Sequence, residues 1–202
     1  MKRIIVGITG ASGAILGERL IRHLLAGGHE VHAVISQSGA KVFEEELGVK
    51  LGSGFAELRA SFLKHFKSHA RLKVAAADDF GAKISSGSAK IDAMVIAPCS
   101  LSTVAAIAHG VTLNLIHRVA GVSIKEKRPL ILVPRESPLS PIHLKNLLTL
   151  SEIGVHIVPA TTAFYHRPKT VEEMVDFTLG RVLDLLKIDH KLFKRWDGSA
   201  YE

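Results

Sequence analysis

Three short stretches of this chain are apolar almost from end to end: residues 3–8 after their leading arginine, 93–97, and 130–133. A strand with one wet face alternates polar and apolar residues. A strand that is apolar throughout needs cover on both faces, as in a parallel sheet with helices above and below. Each run stops at a cluster of turn residues: Thr9-Gly10-Ala11-Ser12-Gly13, Pro98-Cys99-Ser100, and Pro134-Arg135-Glu136-Ser137-Pro138. Helical spacing fills the intervals. Ile15, Leu16, Leu20, Ile21 and Leu24 share a face opposite Glu18, Arg19 and Arg22, and Gly27-Gly28 ends that pattern. The periodicity predicts helices over 14–25, 39–47, 55–66, 100–109, 113–125, 142–152 and 171–186, with further strands at 30–36, 72–76 and 155–158. Glu44, Glu45 and Glu46 read as the solvated face of the second helix.

Strands that alternate with helices predict the α/β class: a three-layer, Rossmann-like (flavodoxin-like), doubly wound and mainly parallel sheet. Right-handed crossovers then bring every strand-to-helix loop to one edge. One domain is expected over 1–188, with 189–202 as a C-terminal extension. A length of 202 residues with 47% hydrophobic and 22% charged content supports such a core and excludes disorder. A single cysteine excludes a disulfide framework or a cysteine-based zinc cluster and suits a reducing compartment. No apolar run approaches the roughly 20 residues of a membrane span, so a cytoplasmic chain is expected.

The net charge of +7 admits nucleic acid, an anionic membrane or a phosphorylated small molecule as partner. The basic residues are spread over both halves, without a basic tail. Their densest stretch runs from Arg118 to Arg135, which favours an anion pocket over nucleic-acid or membrane binding.

The loops expected at the ligand-binding edge carry the chemistry. In Thr9-Gly10-Ala11-Ser12-Gly13 small residues let backbone N–H groups approach an anion at a helix N-terminus, and Ser12 adds a hydroxyl. Ser36 follows the second strand. Cys99, Ser100, Ser102 and Thr103 follow the 93–97 strand, where hydroxyls suit a polar ligand; Cys99 itself reads as a small core residue. Arg118, Lys125 and Arg135 form a candidate phosphate clamp, since Arg118 and Lys125 stand two helical turns apart on one face. Glu136 opposes an anion's charge and makes sense as a proton donor or acceptor. Tyr165 and Arg181 are weaker candidates for closing the pocket. His65 and His69 have metal-pair spacing but no third ligand, and read as a solvated face; no metal site is expected.

Taken together and in order, these segments resemble the UbiX-like flavin prenyltransferases of the homo-oligomeric flavin-containing decarboxylase superfamily. The resemblance also covers Ser85-Ser86-Gly87-Ser88, Ala163-Phe164-Tyr165-His166-Arg167-Pro168, Gly180-Arg181-Val182-Leu183-Asp184 and Phe193-Lys194-Arg195-Trp196. It implies transfer of a dimethylallyl group from dimethylallyl phosphate to N5 and C6 of reduced FMN, without metal. The prenylated FMN then serves a UbiD-type decarboxylase. It implies catalytic roles for Ser12, Lys125, Arg135 and Glu136. It implies prenyl-phosphate contacts from Ser12, Arg118, Lys125, Arg135, Glu136, Tyr165, Arg181 and Phe80, the last standing where many members have tryptophan. Flavin contacts are implied for Thr9, Gly10, Ala11, Ser12, Gly13, Ser36, Ser86, Ser88, Cys99, Ser100, Ser102, Thr103 and Arg118. A homo-oligomer, typically a dodecamer with sites between subunits, is implied, which leaves open whether Tyr165 and Arg181 serve their own chain's site or a neighbour's. Two other readings stand beside this one: an FMN-dependent cysteine decarboxylase of the same superfamily, and a non-catalytic flavin carrier.

Overall fold

The computed structural model describes residues 1–195. Six strands form one sheet: β1 (Arg3–Ile8), β2 (Glu30–Ile35), β3 (Leu72–Ala75), β4 (Ala93–Cys99), β5 (Leu130–Pro134) and β6 (His156–Ile157). Their spatial order is β3-β2-β1-β4-β5-β6 and every pairing is parallel, so that Ile4 of β1 lies between Val31 of β2 and Ala93 of β4. The helices are α1 (Ala14–Ala26), α2 (Gln37–Leu47), α3 (Phe55–His65), α4 (Leu101–Ala108), α5 (Leu115–Lys125), α6 (Pro141–Glu152) and α7 (Val171–Leu185).

The unbroken apolar runs have the cause expected of them. Successive strand residues point to opposite faces, and both faces are covered. Ile4, Val6 and Ile8 enter a core shared with Leu20 of α1, Phe43 of α2, Phe62 of α3 and Leu179 of α7. Ile5, Met94 and Ile96 enter the other core, with Val104 of α4, Ile116 of α5 and Leu150 of α6. Strand order reverses direction between β1 and β4, so the loops leaving their C-terminal ends diverge and open a crevice there.

Several boundaries differ from expectation for local reasons. β4 continues through Pro98 to Cys99; a central strand tolerates this proline because its register with β5 slips between Ile96 and Cys99. α5 begins at Leu115 because the Asn114 side chain caps it, accepting the His117 N–H at 3.0 Å. The described part of the expected C-terminal extension, residues 189–195, packs against α7: the Phe193 ring lies 4.9 Å from that of Phe177, and both Phe193 and His190 cover Gly180. Trp196 lies outside the described residues.

Two helical glycines differ in packing. Gly17 of α1 sits against the end of β4, where a methyl group would collide with the Ala97 carbonyl oxygen and approach Ile8 Cγ1 to 2.9 Å. Gly121 of α5 is exposed, and a methyl group there meets nothing within 4 Å. Chemical denaturation should show Gly17→Ala destabilised by about 3 kcal/mol, from overpacking against backbone. The same measurement should show Gly121→Ala stabilised by about 0.5–1 kcal/mol, because glycine is the poorer helix former.

Candidate functional site

The crevice is built where β1 and β4 end. Thr9 is buried and joins the two loops: its hydroxyl donates to the Pro98 carbonyl at 2.9 Å and accepts the Ser100 N–H at 2.7 Å. Thr9 therefore holds the crevice together, and its side chain is committed to that task. Gly13 turns the chain into α1 in the left-handed region, at φ 108°, and supplies no side-chain cap. The first amides of α1 consequently point into the crevice with no acceptor from their own turn.

Hydroxyls line the same edge. Ser36 Oγ caps α2, accepting the Gly39 N–H at 3.0 Å, and lies 3.3 Å from Ser38 Oγ. Ser100 Oγ caps α4 and lies 3.0 Å from Ser102 Oγ and 3.1 Å from Thr103 Oγ1. Cys99 is wholly buried, and that burial pushes its thiol far above the usual thiol range, so it is no nucleophile. Arg135 and Glu136 follow β5 at the same edge, exposed. The Arg135 Nε–H donates to the Ser12 carbonyl at 3.1 Å, which ties this loop to the glycine-rich turn.

One residue of this cluster was not anticipated. Glu46, in the last turn of α2, accepts the Gly13 N–H at 2.9 Å and the Ala14 N–H at 2.7 Å. Burial pushes its carboxyl up, but hydrogen bonds from the Ser12 hydroxyl and those two amides, with the Arg135 charge, outweigh it and hold the carboxyl below its ordinary range. The run Glu44–46 is thus not a uniform solvated face. Glu44 accepts the Leu51 and Gly52 N–H groups at 2.5 and 3.2 Å, and Glu46 faces the crevice. The signal in the sequence is indirect: a helix that starts at an uncapped glycine needs an acceptor from elsewhere.

The remaining candidates do not gather at this crevice within one chain. α5 starts at the crevice edge of the sheet, where the Leu115 N–H donates to Ala77 O at 2.7 Å just beyond β3, and runs back to the opposite edge. Arg118 lies in its first turns, exposed. Lys125 ends it, paired with Glu126 at 2.7 Å. It packs beside Gly87, whose carbonyl accepts from Arg128. Ser86 and Ser88, 2.9 Å apart, therefore share the far edge with Lys125. Phe80 is half-exposed in the loop after β3. Tyr165 rests edge-on against Phe177 of α7 at 5.8 Å. Arg181 lines an open groove of about 640 Å³ flanked by β6, α6 and α7, and pairs with Asp184 at 3.0 Å. Beside Tyr165, both ring nitrogens of His166 are buried and have no hydrogen-bond partner among the described residues.

His65 is not on a free face, since its ring bonds to Glu18 at 3.1 Å and packs edge-on against Phe43 and Phe66. Among the described residues no three His, Cys, Asp or Glu are grouped to hold a metal ion, and no helix is long and apolar enough to cross a membrane.

A parallel sheet whose β1–β4 crevice presents helix N–H groups, hydroxyls and an arginine is the architecture of a flavoprotein, and the model of the Flavoprotein family matches residues 1–191. A flavin prenyltransferase UbiX of Halalkalibacterium halodurans is 44% identical over 191 residues, covering 95% of this chain and 91% of the relative. Of the solved structures, a UbiX protein in complex with FMN and dimethylallyl pyrophosphate superposes with a TM-score of 0.85 at 38% identity, covering 98% of each chain. A dodecameric FMN-dependent UbiX-like decarboxylase from Escherichia coli O157:H7 superposes with a TM-score of 0.84 at 39% identity, covering 97% of this chain and all of the other. The chain belongs to the flavin prenyltransferase UbiX family.

Proposed function

We propose that this protein transfers the dimethylallyl group of dimethylallyl phosphate to reduced FMN, making prenylated FMN for a UbiD-type decarboxylase. The observation that carries the reading is the convergence of the α1 amides, the Ser12, Ser36, Ser100 and Ser102 hydroxyls and Arg135 on one crevice. This donor set fits FMN, whose phosphate and polar ring edge call for hydroxyls, amides and a cation. The small turn at Gly10–Gly13 leaves room for a close backbone approach. Reduced FMN, once bound, supplies the N5 and C6 positions that accept the prenyl group.

The chain's own groups then divide the work. Arg135 neutralises charge that grows on the departing phosphate, aided by Arg118, Lys125, Tyr165 and Arg181. Ser12 donates its hydroxyl to that phosphate. Glu136 moves protons between phosphate and flavin as general acid and base. Phe80 offers a ring face to the prenyl carbon chain, a weaker partner for developing positive charge than tryptophan.

Lys125 ends α5 away from the crevice of its own chain, and Arg181 faces the groove beside β6, so we assign these two, with Tyr165, to the crevice of neighbouring copies. A homo-oligomer is supported by exposed apolar side chains along α6, with Ile142 70% and Leu148 58% accessible. A dodecamer and a cytoplasmic setting complete the proposal; the lone buried thiol suits the latter.

The test is anaerobic incubation with reduced FMN and dimethylallyl phosphate, followed by mass spectrometry of the extracted flavin. A flavin heavier by one dimethylallyl unit is expected. Unaltered FMN, or carbon dioxide released from a cysteine peptide instead, would overturn the assignment.

A further inference from the structure

Between Glu57 and Asp78 the chain carries no acidic residue, and it places Arg59, Lys64, Lys67, Arg71 and Lys73 there. None of them belongs to the crevice. The segment runs through α3 and the turn after it into β3, and all five cations are exposed. The carboxylates nearby are already engaged. Glu18 holds Arg22 and His65, Glu30 holds His32 and Lys73, and Glu57 accepts the Ser53 N–H. Arg71 donates to the Gly28 carbonyl at 2.9 Å. Among the described residues Arg59, Lys64 and Lys67 meet no carboxylate at ion-pair distance, so the positive charge of this corner is not neutralised from within.

The same corner holds an open sheet edge. β3 is the outermost strand, and among the described residues it pairs with β2 alone. On its other side alternate backbone N–H and C=O groups of Leu72–Ala75 have no strand beside them, the arrangement that accepts an added strand. Cations beside such an edge discourage pairing with the same edge of a second copy, because like charges would meet. They favour an extended segment rich in Asp and Glu. Phe62 and Phe66, the aromatic residues of the segment, are buried, so it offers no ring on which a nucleic-acid base could stack. α6 and the groove beside β6, which the proposed assembly gives to neighbouring copies, flank the opposite edge strand, so docking there leaves β3 uncovered.

We infer that the β3 edge is a docking site for an acidic, extended segment of a partner protein. The segment adds to the six-stranded sheet beyond β3, and Lys64, Lys67, Arg71 and Lys73 face its carboxylates. Backbone hydrogen bonds supply the attachment, and the cations select the sign of the charge. A ladder along the four residues of β3 is short, so the contact is reversible and weakens as salt rises.

Fluorescence anisotropy tests this on the full chain, with a labelled peptide of alternating glutamate and valine about eight residues long. The peptide should bind wild type. Lys64→Gln/Lys67→Gln should weaken binding by about three- to tenfold, and Lys64→Glu/Lys67→Glu by about tenfold or more. Lys145→Glu, an exposed lysine on α6, should leave it within about twofold of wild type. The same peptide methylated on its backbone nitrogens keeps its charge but cannot donate to a strand, and should bind at least about tenfold more weakly. Equal binding of the methylated peptide would overturn the inference, because charge alone explains that result. So would no loss in the Lys64/Lys67 variants, or tighter binding of wild type to a DNA duplex or to phosphatidylserine vesicles than to the peptide. An unbound peptide, with an oligomer that dissociates in Lys64→Glu/Lys67→Glu, would give the edge to a second copy and overturn it as well. Both lysine variants should prenylate flavin at the wild-type rate, since neither residue stands at the crevice.

Discussion

Glu136→Gln should bind FMN as wild type does and form prenylated flavin about 10²- to 10⁴-fold more slowly, the range that a positioned general acid or base supplies. That loss corresponds to about 3–5 kcal/mol of transition-state stabilisation. The substitution keeps size and shape. It also keeps the local structure, because the Ser137 N–H that now donates to Glu136 Oε1 at 3.1 Å can donate to an amide oxygen equally well. What glutamine cannot do is take up and release a proton. Glu136 stands beside Arg135 at the end of β5, on the edge where the phosphate would leave and the flavin would lose its proton. Anaerobic single-turnover spectra, followed by mass analysis, separate binding from chemistry. A slow rate with an unchanged FMN dissociation constant is the expected pair. Wild-type rates in this variant would remove Glu136 from the mechanism and leave only binding roles at this edge.

The parts of the fold that were legible in the sequence share one cause. Burial on two faces writes itself into a strand as an unbroken apolar run, so β1, β4 and β5 were readable and their C-terminal loops pointed to the crevice. Ser100 and Arg135 were legible for the same reason, each being the first polar group after a readable strand, and Ser12 because it stands in the turn that follows β1. Glu46 was not, because its role depends on α2 packing near α1. Three successive glutamates look alike until the fold gives one of them the amides of a distant turn. How the clamp residues are distributed over the fold was less legible. Seven residues of helix span about 10 Å, comparable with the length of the five-residue strand β5 that follows. Arg118 and Lys125 on one face of α5 therefore stand toward opposite ends of that helix, and a shared face does not by itself say which crevice each one serves.

That separation sets up the second large effect. Arg135→Ala and Arg181→Ala should each abolish most activity alone, yet oligomers assembled from both chains, co-expressed in equal amounts, should recover about a quarter of wild-type activity per site if every site joins Arg135 of one copy to Arg181 of another. The fraction follows from chance. A site between copies is intact when one contributor carries a native Arg135 and the other a native Arg181, each present in half of the chains. If both arginines served the crevice of their own chain, every crevice would lack one of them and the mixture would stay as inactive as its parents. A second mixture reverses the test. Wild type co-assembled with the Arg135→Ala/Arg181→Ala double variant should show about half activity when the two arginines act within one chain, but about a quarter when they act across an interface. The geometry favours the latter: Arg135 is tied to Ser12 at the crevice, whereas Arg181 faces the groove beside β6 and is held there by Asp184. Arg195 and His190 hold that Asp184 carboxylate below its ordinary range, and the same carboxylate pairs with Arg181 at 3.0 Å. If a second copy docks against that groove, its crevice meets Arg181, and the two mixtures tell this arrangement from one in which both arginines serve a single chain.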